Sequence, residues 1–305
     1  MIFVTGSNGY VGQALVLKLD EVGYEYCTLS HKEDSFVEYF NANNSNSPAK
    51  HTLVHIAGLA HKRNRSYSDF YDANVQYLKK TLSVLEKQNI SRVVYISSIS
   101  VYGDNATGSI SEDCPTLPTT NYGKSKLYAE HYLTEYCNAH GIQYYIVRPP
   151  LIIGPNCPGN LNRLFNLIML RIPIPRSRNQ VIRQFVGIRN FISLILTCIE
   201  HDNRESYIFN VADQDCLSVV QIVDQIGNCM AKRPFYIDID RKLIDTLISV
   251  TCIASSVDKF RTSLLVNDQL VRSALGYRQE WSFESELSRF LQAKLNRLDT
   301  TKWKF

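Results

Sequence analysis

The turn Gly6-Ser-Asn-Gly9-Tyr-Val-Gly12 restricts the folds open to this chain more than any other stretch. It follows a short apolar run, Met1–Thr5, that reads as a strand. It leads into Val11–Leu19, whose apolar residues recur at helical spacing. Glycines between a strand and a helix let the backbone approach a bound group closely, and the unpaired N–H groups and dipole of the helix start favour an anion such as a pyrophosphate. The G-x-x-G-x-x-G spacing is a relative of the dinucleotide fingerprint. Gly6, Gly9, Tyr10, Val11 and Gly12 are therefore candidate cofactor-binding residues.

Strand and helix signals continue to alternate. Tyr26–Leu29, Thr52–Ile56, Val93–Ser97 and Ile142–Val147 read as strands, and Asp69–Gln88 and Tyr122–His140 as helices. That order predicts an α/β fold, a Rossmann-like, doubly wound parallel sheet with helices on both faces. After Arg148-Pro-Pro150 the texture changes. Prolines fall at 155, 158, 173 and 175, and helices mix irregularly with short strands. We expect residues 1–155 to form the dinucleotide-binding domain. Residues 156–305 are expected to be mainly a smaller, mixed α/β C-terminal substrate lobe, with some segments returning to the first domain.

The net charge of +4 comes without any block of basic residues, which argues against nucleic acid as a partner. The apolar stretch Leu243–Ser255, interrupted by Asp245 and Thr246, is too short to span a bilayer, so a core helix and no membrane insertion are expected. Eight scattered cysteines with no Cys-x-x-Cys pair suggest reduced thiols. A strand entered at Ile2 leaves no room for a signal peptide. Both point to a cytoplasmic location.

Tyr122 and Lys126, in Asn121-Tyr-Gly-Lys-Ser-Lys126, lie one turn apart on a single helix face. An ammonium beside a phenol favours the phenolate, so Lys126 is expected to pull the Tyr122 pKa down toward working pH. Ser97 and Ser98 stand at the end of a predicted parallel strand, where ligands collect in open sheets. His55-Ile-Ala57-Gly58 ends another strand with small residues that permit close approach to a cofactor. His55 and His61 lack acidic companions, and no metal is expected. At the end of the second strand, where a carboxylate would accept from a ribose 2′-OH, the chain has Ser30-His31-Lys32, with Asp34 a little further on. The missing acid and nearby basic residues tilt the choice of cofactor toward NADP over NAD.

Together these features resemble the extended short-chain dehydrogenase/reductases, in particular the branch acting on nucleotide sugars. The resemblance rests on the Gly6-Gly9-Gly12 turn, Val54-His-Ile-Ala57, Asn74 in Asp72-Ala-Asn-Val75, Ser97-Ser-Ile-Ser-Val-Tyr-Gly103, Tyr122-Gly-Lys-Ser-Lys126 and Val147-Arg-Pro-Pro-Leu151, and it covers residues 1 to 155. It implies Tyr122 as acid/base, Lys126 as the residue holding the nicotinamide ribose, Ser98 in preference to Ser97 as the catalytic hydroxyl, and Asn74 and Pro149 among the cofactor contacts. More loosely, Asn160 resembles an Asn that contacts the nucleotide of a UDP-sugar and Arg183 and Arg261 resemble arginines that grip its diphosphate, and a guanidinium fork suits phosphate oxygens. The family also implies a homodimer.

Dehydratases of this branch carry Asp-Glu directly after the catalytic Ser/Thr. Here Ile99 and Ser100 stand there, so dehydration is not expected. The pattern looks closest to bacterial reductases of UDP-4-keto-6-deoxy-N-acetylhexosamine, which serve surface polysaccharide synthesis. The alternatives are a UDP-sugar 4-epimerase with retained NAD and, in another class, a non-catalytic dinucleotide sensor.

Overall fold

A computed structural model describes residues 1–30, 50–60, 65–86, 88–103, 108–176, 181–238 and 263–301. His31, Lys32, Arg261 and the Leu243–Ser255 stretch lie outside them, and the side chain of Asn160 is likewise not described.

The centre is a parallel sheet of strands β1 (Ile2–Thr5), β2 (Tyr26–Leu29), β3 (His51–His55), β4 (Ile90–Ile96), β5 (Gln143–Arg148) and β6 (Tyr207–Asn210), in the order β6-β5-β4-β3-β1-β2. Five of these match the predicted strands. The sixth comes from the C-terminal half and pairs with β5, Phe209 opposite Val147. β1 lies between β2 and β3, so the chain winds outward from it in both directions. The switch point falls at the carboxyl ends of β1 and β3, where crevices in open sheets bind ligands.

Both faces of the sheet are covered, which is why its strands are apolar at successive positions rather than at alternate ones. Ile2 and Val4 pack with Leu15 and Leu19 of α1 (Tyr10–Val22) and with Phe191 and Ile195 of a later helix, Ile188–Glu200. Phe3, between them in sequence, points the other way. It joins Leu78 and Leu82 of the helix Tyr77–Leu85 and Ala129, Leu133 and Cys137 of the helix Asn121–His140.

The predicted helix over 69–88 starts earlier and is not uniform. Ser66 and Asp69 form a reciprocal cap that sets its start at Tyr67, and a π-helical turn, Asp72–Gln76, interrupts it. Such turns admit one extra residue and often mark functional positions. This one carries Asn74. The helix Asn121–His140 is started by Thr120, whose hydroxyl accepts from Gly123 N at 3.0 Å.

A second core gathers Ile153, Phe165, Phe185, Ile222 and Phe290 from the C-terminal half. It packs helices Asn160–Met169, Val219–Cys229 and Phe283–Thr301 together. No helix among the described residues is long and apolar enough to cross a membrane.

Leu133 is fully buried between helix and sheet, whereas Leu17 is 70% exposed. Leu133→Ala should cost about 2–5 kcal/mol in chemical denaturation, and Leu17→Ala less than about 0.5 kcal/mol. Equal effects would mean that this face of the sheet is not the core described.

Candidate active site

Gly6 ends β1 in a left-handed conformation, φ +73°. A Cβ there would lie 2.6 Å from Ala57 N, so only glycine lets the ends of β1 and β3 come this close. Gly9 N closes the turn by donating to Gly6 O at 2.9 Å. A Cβ at Gly12 would sit 2.1 Å from Gly6 O. Gly9 caps α1 without a side-chain hydrogen bond, and the first turn contains no acidic residue. The helix start thus carries neither a side-chain acceptor nor a competing negative charge, which is what a diphosphate needs. Val11 packs on the sheet core. Tyr10 bridges both cores, its hydroxyl beside Gly154, so its side chain braces the turn rather than lining the cradle.

Thr5, at the end of β1, orders the neighbouring strand. Its hydroxyl accepts from Ala57 N at 3.3 Å and bonds His55 Nδ1 at 3.1 Å. The His55 ring is fully buried and stacks on Tyr95 at 5.8 Å. His55 therefore supports the β3 end from within the fold. Ser30 closes β2 at its carboxyl end.

Asn74 is buried and points from the π turn to the loop after β3. Its Oδ1 accepts from Leu59 N at 2.7 Å, and its Nδ2 donates to Leu59 O at 3.3 Å and to Ser125 Oγ at 2.8 Å. A Cβ at Gly58 would lie 2.6 Å from Asn74 Oδ1 and 3.2 Å from Lys126 Nζ. Lys126 donates to Ile96 O at 2.8 Å and lies over the Tyr95 ring at 4.8 Å.

Ser98 follows β4 in extended conformation and starts a short 3-10 turn, Ile99–Tyr102. Ile99 N donates to Pro149 O at 3.0 Å, which brings Pro149 to the same strand ends. The Ser98 hydroxyl hydrogen-bonds the Tyr122 phenol, whereas that of Ser97 turns to Glu130. Gly123 makes the helix fit here, since a Cβ would meet Ser100 O at 2.4 Å. The structure thus gathers Gly6, Ala57, Asn74, Ser98, Tyr122, Lys126 and Pro149 along the carboxyl edge of the sheet. Arg183 lies in a short strand that pairs with Leu217–Ser218, in the C-terminal half. Asn160 begins the helix Asn160–Met169.

The expected acidification of Tyr122 is corrected. Burial raises its phenol to about 12, with the Ser98 hydrogen bond opposing the rise. Burial also lowers the Lys126 ammonium to about 8, with Glu130 pulling the other way. Desolvation disfavours the charged form of each group, and here it outweighs the Ser98 hydrogen bond at the phenol and the Glu130 charge at the ammonium. The resting pair is a neutral phenol beside a cation committed to a carbonyl and an aromatic ring.

Sequence reasoning missed the residues behind this edge. Glu130, one turn beyond Lys126, is buried against Arg148, with Nε to Oε1 at 3.0 Å and Nη2 to Oε2 at 2.5 Å. The available signals were an acid continuing the Tyr122–Lys126 helix face and an arginine directly after the apolar run Ile146–Val147.

Comparisons with known proteins give the family and the fold. The model of the NAD dependent epimerase/dehydratase family matches residues 2–212, and the chain belongs to that family. A UDP-glucose 4-epimerase of Vibrio cholerae is 27% identical over 96% of both chains. Among solved structures, UDP-glucuronic acid 4-epimerase from Bacillus cereus, in complex with UDP-glucuronic acid and NAD, superposes with a TM-score of 0.75 at 17% identity, covering 97% of this chain and 99% of its own. RMD from Pseudomonas aeruginosa, complexed with NADPH, gives 0.75 at 19% identity, covering 96% and 98%.

The lowered Lys126 value has a measurable sign. Between pH 8 and 10.5 the unfolded chain holds a proton on Lys126 that the folded chain has lost. Stability should therefore rise with pH across that window. Relative to Lys126→Met, the parent should gain up to about 3 kcal/mol in denaturant titrations from neutral pH to the top of the window. A difference that stays flat with pH would show that the ammonium is not buried as described.

Proposed function

We propose that this enzyme transfers hydride at C4 of a UDP-sugar, with Ser98, Tyr122 and Lys126 as its proton-transfer group. The single observation that carries this is the joining of those three side chains, at the sheet's carboxyl edge, to a glycine cradle that excludes a Cβ. A nicotinamide dinucleotide fits that cradle, with Gly6, Gly9, Gly12 and the start of α1 at its diphosphate and Asn74 and Lys126 near its nicotinamide end. Its chemistry is to accept or return a hydride.

The chain's own residues handle the proton. Ser98 holds the sugar oxygen, and Tyr122 Oη gives a proton to that oxygen or takes one from it. Lys126 supplies positive charge behind the phenol. Arg183, Arg261 and Asn160 are assigned to the UDP moiety, and residues 156–305 mainly to sugar binding. We place Tyr10, Val11, Ser30, His31, Lys32, His55, Ala57 and Pro149 around the dinucleotide, some as supports rather than contacts.

Within this reading we favour 4-epimerisation, in which hydride leaves C4 and returns to the opposite face. Its support is the epimerase relative that spans 96% of both chains. A second reading is reduction of a UDP-4-keto-6-deoxy-N-acetylhexosamine for surface polysaccharide. Ser30 favours it, because a serine rather than an acid directly after β2 suits NADPH, a cofactor consumed in each turnover. The seven described cysteines are free thiols, which fits a cytoplasmic enzyme. The dimer is assigned to the outer faces of the helices at 67–85 and 121–140, where Tyr71 meets Tyr128 at 5.3 Å and Tyr128 remains 46% exposed. Light scattering should then give twice the chain mass, and Tyr128→Glu should lower it.

The deciding assay incubates the purified protein with UDP-glucose, UDP-GlcNAc and UDP-4-keto-6-deoxy-GlcNAc, each with NAD, NADH or NADPH. Interconversion at C4 without net cofactor change is expected for the epimerase, and oxidation of NADPH by the keto sugar for the reductase. Tyr122→Phe should lower kcat at least about a hundredfold while dinucleotide binding persists. Undiminished turnover in that variant would overturn the assignment, and inactivity of the parent on all three sugars would overturn the substrate class. A dinucleotide response that survives Tyr122→Phe in a protein without turnover would instead indicate a sensor.

A further inference from the structure

Behind the proton-transfer edge lies a buried polar network that the reaction described above does not use. Glu130 is 1% exposed and Arg148 4%, and the two meet through two parallel hydrogen bonds. Glu130 Oε1 also accepts from Ser97 Oγ. Arg148 Nη1 donates to Tyr102 OH at 2.6 Å, and Tyr102 OH donates to Asn210 Oδ1 at 3.1 Å. Asn210 N in turn donates to Glu112 at 2.7 Å. The network thus spans the helix Asn121–His140, the ends of β4, β5 and β6, and the 3-10 turn.

The placement within the chain is what matters. Ser97 directly precedes Ser98, and Tyr102 ends the turn that Ser98 begins. Both ends of the six-residue stretch Ser97–Tyr102 are therefore tied to one ion pair, with Ser98 held between them. Glu130 also lies two helical turns from Tyr122 and one from Lys126, on the same face.

We infer that the Glu130–Arg148 pair is a positioning device for proton transfer: it clamps both ends of the turn that presents Ser98 to Tyr122 and sets a carboxylate on the Lys126 side of the helix. This rests on the reading of Ser98, Tyr122 and Lys126 given above. Glu130 and Arg148 touch neither sugar nor dinucleotide in this scheme and act through their neighbours. A buried ion pair is a poor source of net stability, because desolvation offsets most of its attraction. Its value here is geometric, since two charge-assisted bonds fix orientation more tightly than apolar packing would.

The charge has a second effect. The groups facing the Lys126 ammonium are Tyr122 and Glu130 from its own helix, Tyr95 from β4 with His55 stacked behind it, and neutral Asn74 from the π turn. Arg148 stands behind Glu130 from β5. Of these, Glu130 is the carboxylate, and it opposes the loss of the Lys126 proton that burial promotes.

Two variants test this on the full chain. Ser97→Ala/Tyr102→Phe cuts both ties to the turn and leaves the ion pair intact. Glu130→Gln keeps the shape and removes the charge. Each is measured for folding by circular dichroism, for NADH affinity by fluorescence, and for kcat against pH on whichever of UDP-glucose, UDP-GlcNAc or UDP-4-keto-6-deoxy-GlcNAc the parent converts. The double variant should fold, bind NADH within about threefold of the parent, and lose about a hundredfold in kcat with little change in KM, the scale expected for a misplaced reacting group. Glu130→Gln should move the alkaline limb of kcat to lower pH, and Glu130→Asp should partly restore it. A folded Ser97→Ala/Tyr102→Phe protein with kcat within about twofold of the parent would overturn the inference, even if Glu130→Gln failed to fold. Tyr122→Phe, run alongside, keeps the two readings apart: if it too were fully active, the proton-transfer assignment itself would fall.

Discussion

Lys126 brings a cation into the dry seam between a helix and the central sheet, and the rest of the site is arranged around the cost of holding it there. An ammonium in that position must be paired or hydrogen-bonded, or it gives up its proton. The fold supplies the Ile96 carbonyl, the face of Tyr95 and the Glu130 carboxylate one turn away. Each comes from a different constraint. The carbonyl is free because β4 ends there, the ring is fixed because Tyr95 fills the core, and the carboxylate is held because Arg148 grips it. Balanced in this way, the ammonium remains a cation near neutral pH while lying close to its point of deprotonation.

The same seam explains why glycine recurs at this edge. Three backbone segments and one lysine converge at the carboxyl ends of β1, β3 and β4, and there is no room for a Cβ at Gly6, Gly12, Gly58 or Gly123. Close packing of main chain brings the uncapped start of α1 to this edge, and a helix start without a side-chain acceptor suits a diphosphate. The π turn contributes in a similar way. One extra residue in the helix aims Asn74 at Leu59, so that the loop after β3 is pinned by a side chain rather than by strand pairing.

Much of this was legible in the chain itself. The strands were visible because a sheet covered on both faces requires continuous apolar runs, and five of six were predicted close to their observed bounds. β6 was missed because its four residues, Tyr207–Asn210, sit in a half where periodicity is broken by loops and prolines. The gathered residues Gly6, Ala57, Asn74, Ser98, Tyr122 and Lys126 were legible because each belongs to a local motif with a steric or electrostatic reason. Glu130 and Asn210 belong to no local motif, and Tyr102 sits in one that does not reveal its partners. Their roles arise only from contacts up to 108 residues apart in sequence.

The sequence by itself determined the parallel sheet, the glycine cradle and the Tyr122–Lys126 spacing, since periodicity, backbone freedom and helix geometry are local properties. Only the tertiary structure decided the charge states. Whether a phenol beside an ammonium becomes more or less acidic depends on how much water both have lost, and that is set by which distant segments pack over them. Spacing placed the two groups on one helix face, and burial then raised the phenol and lowered the ammonium.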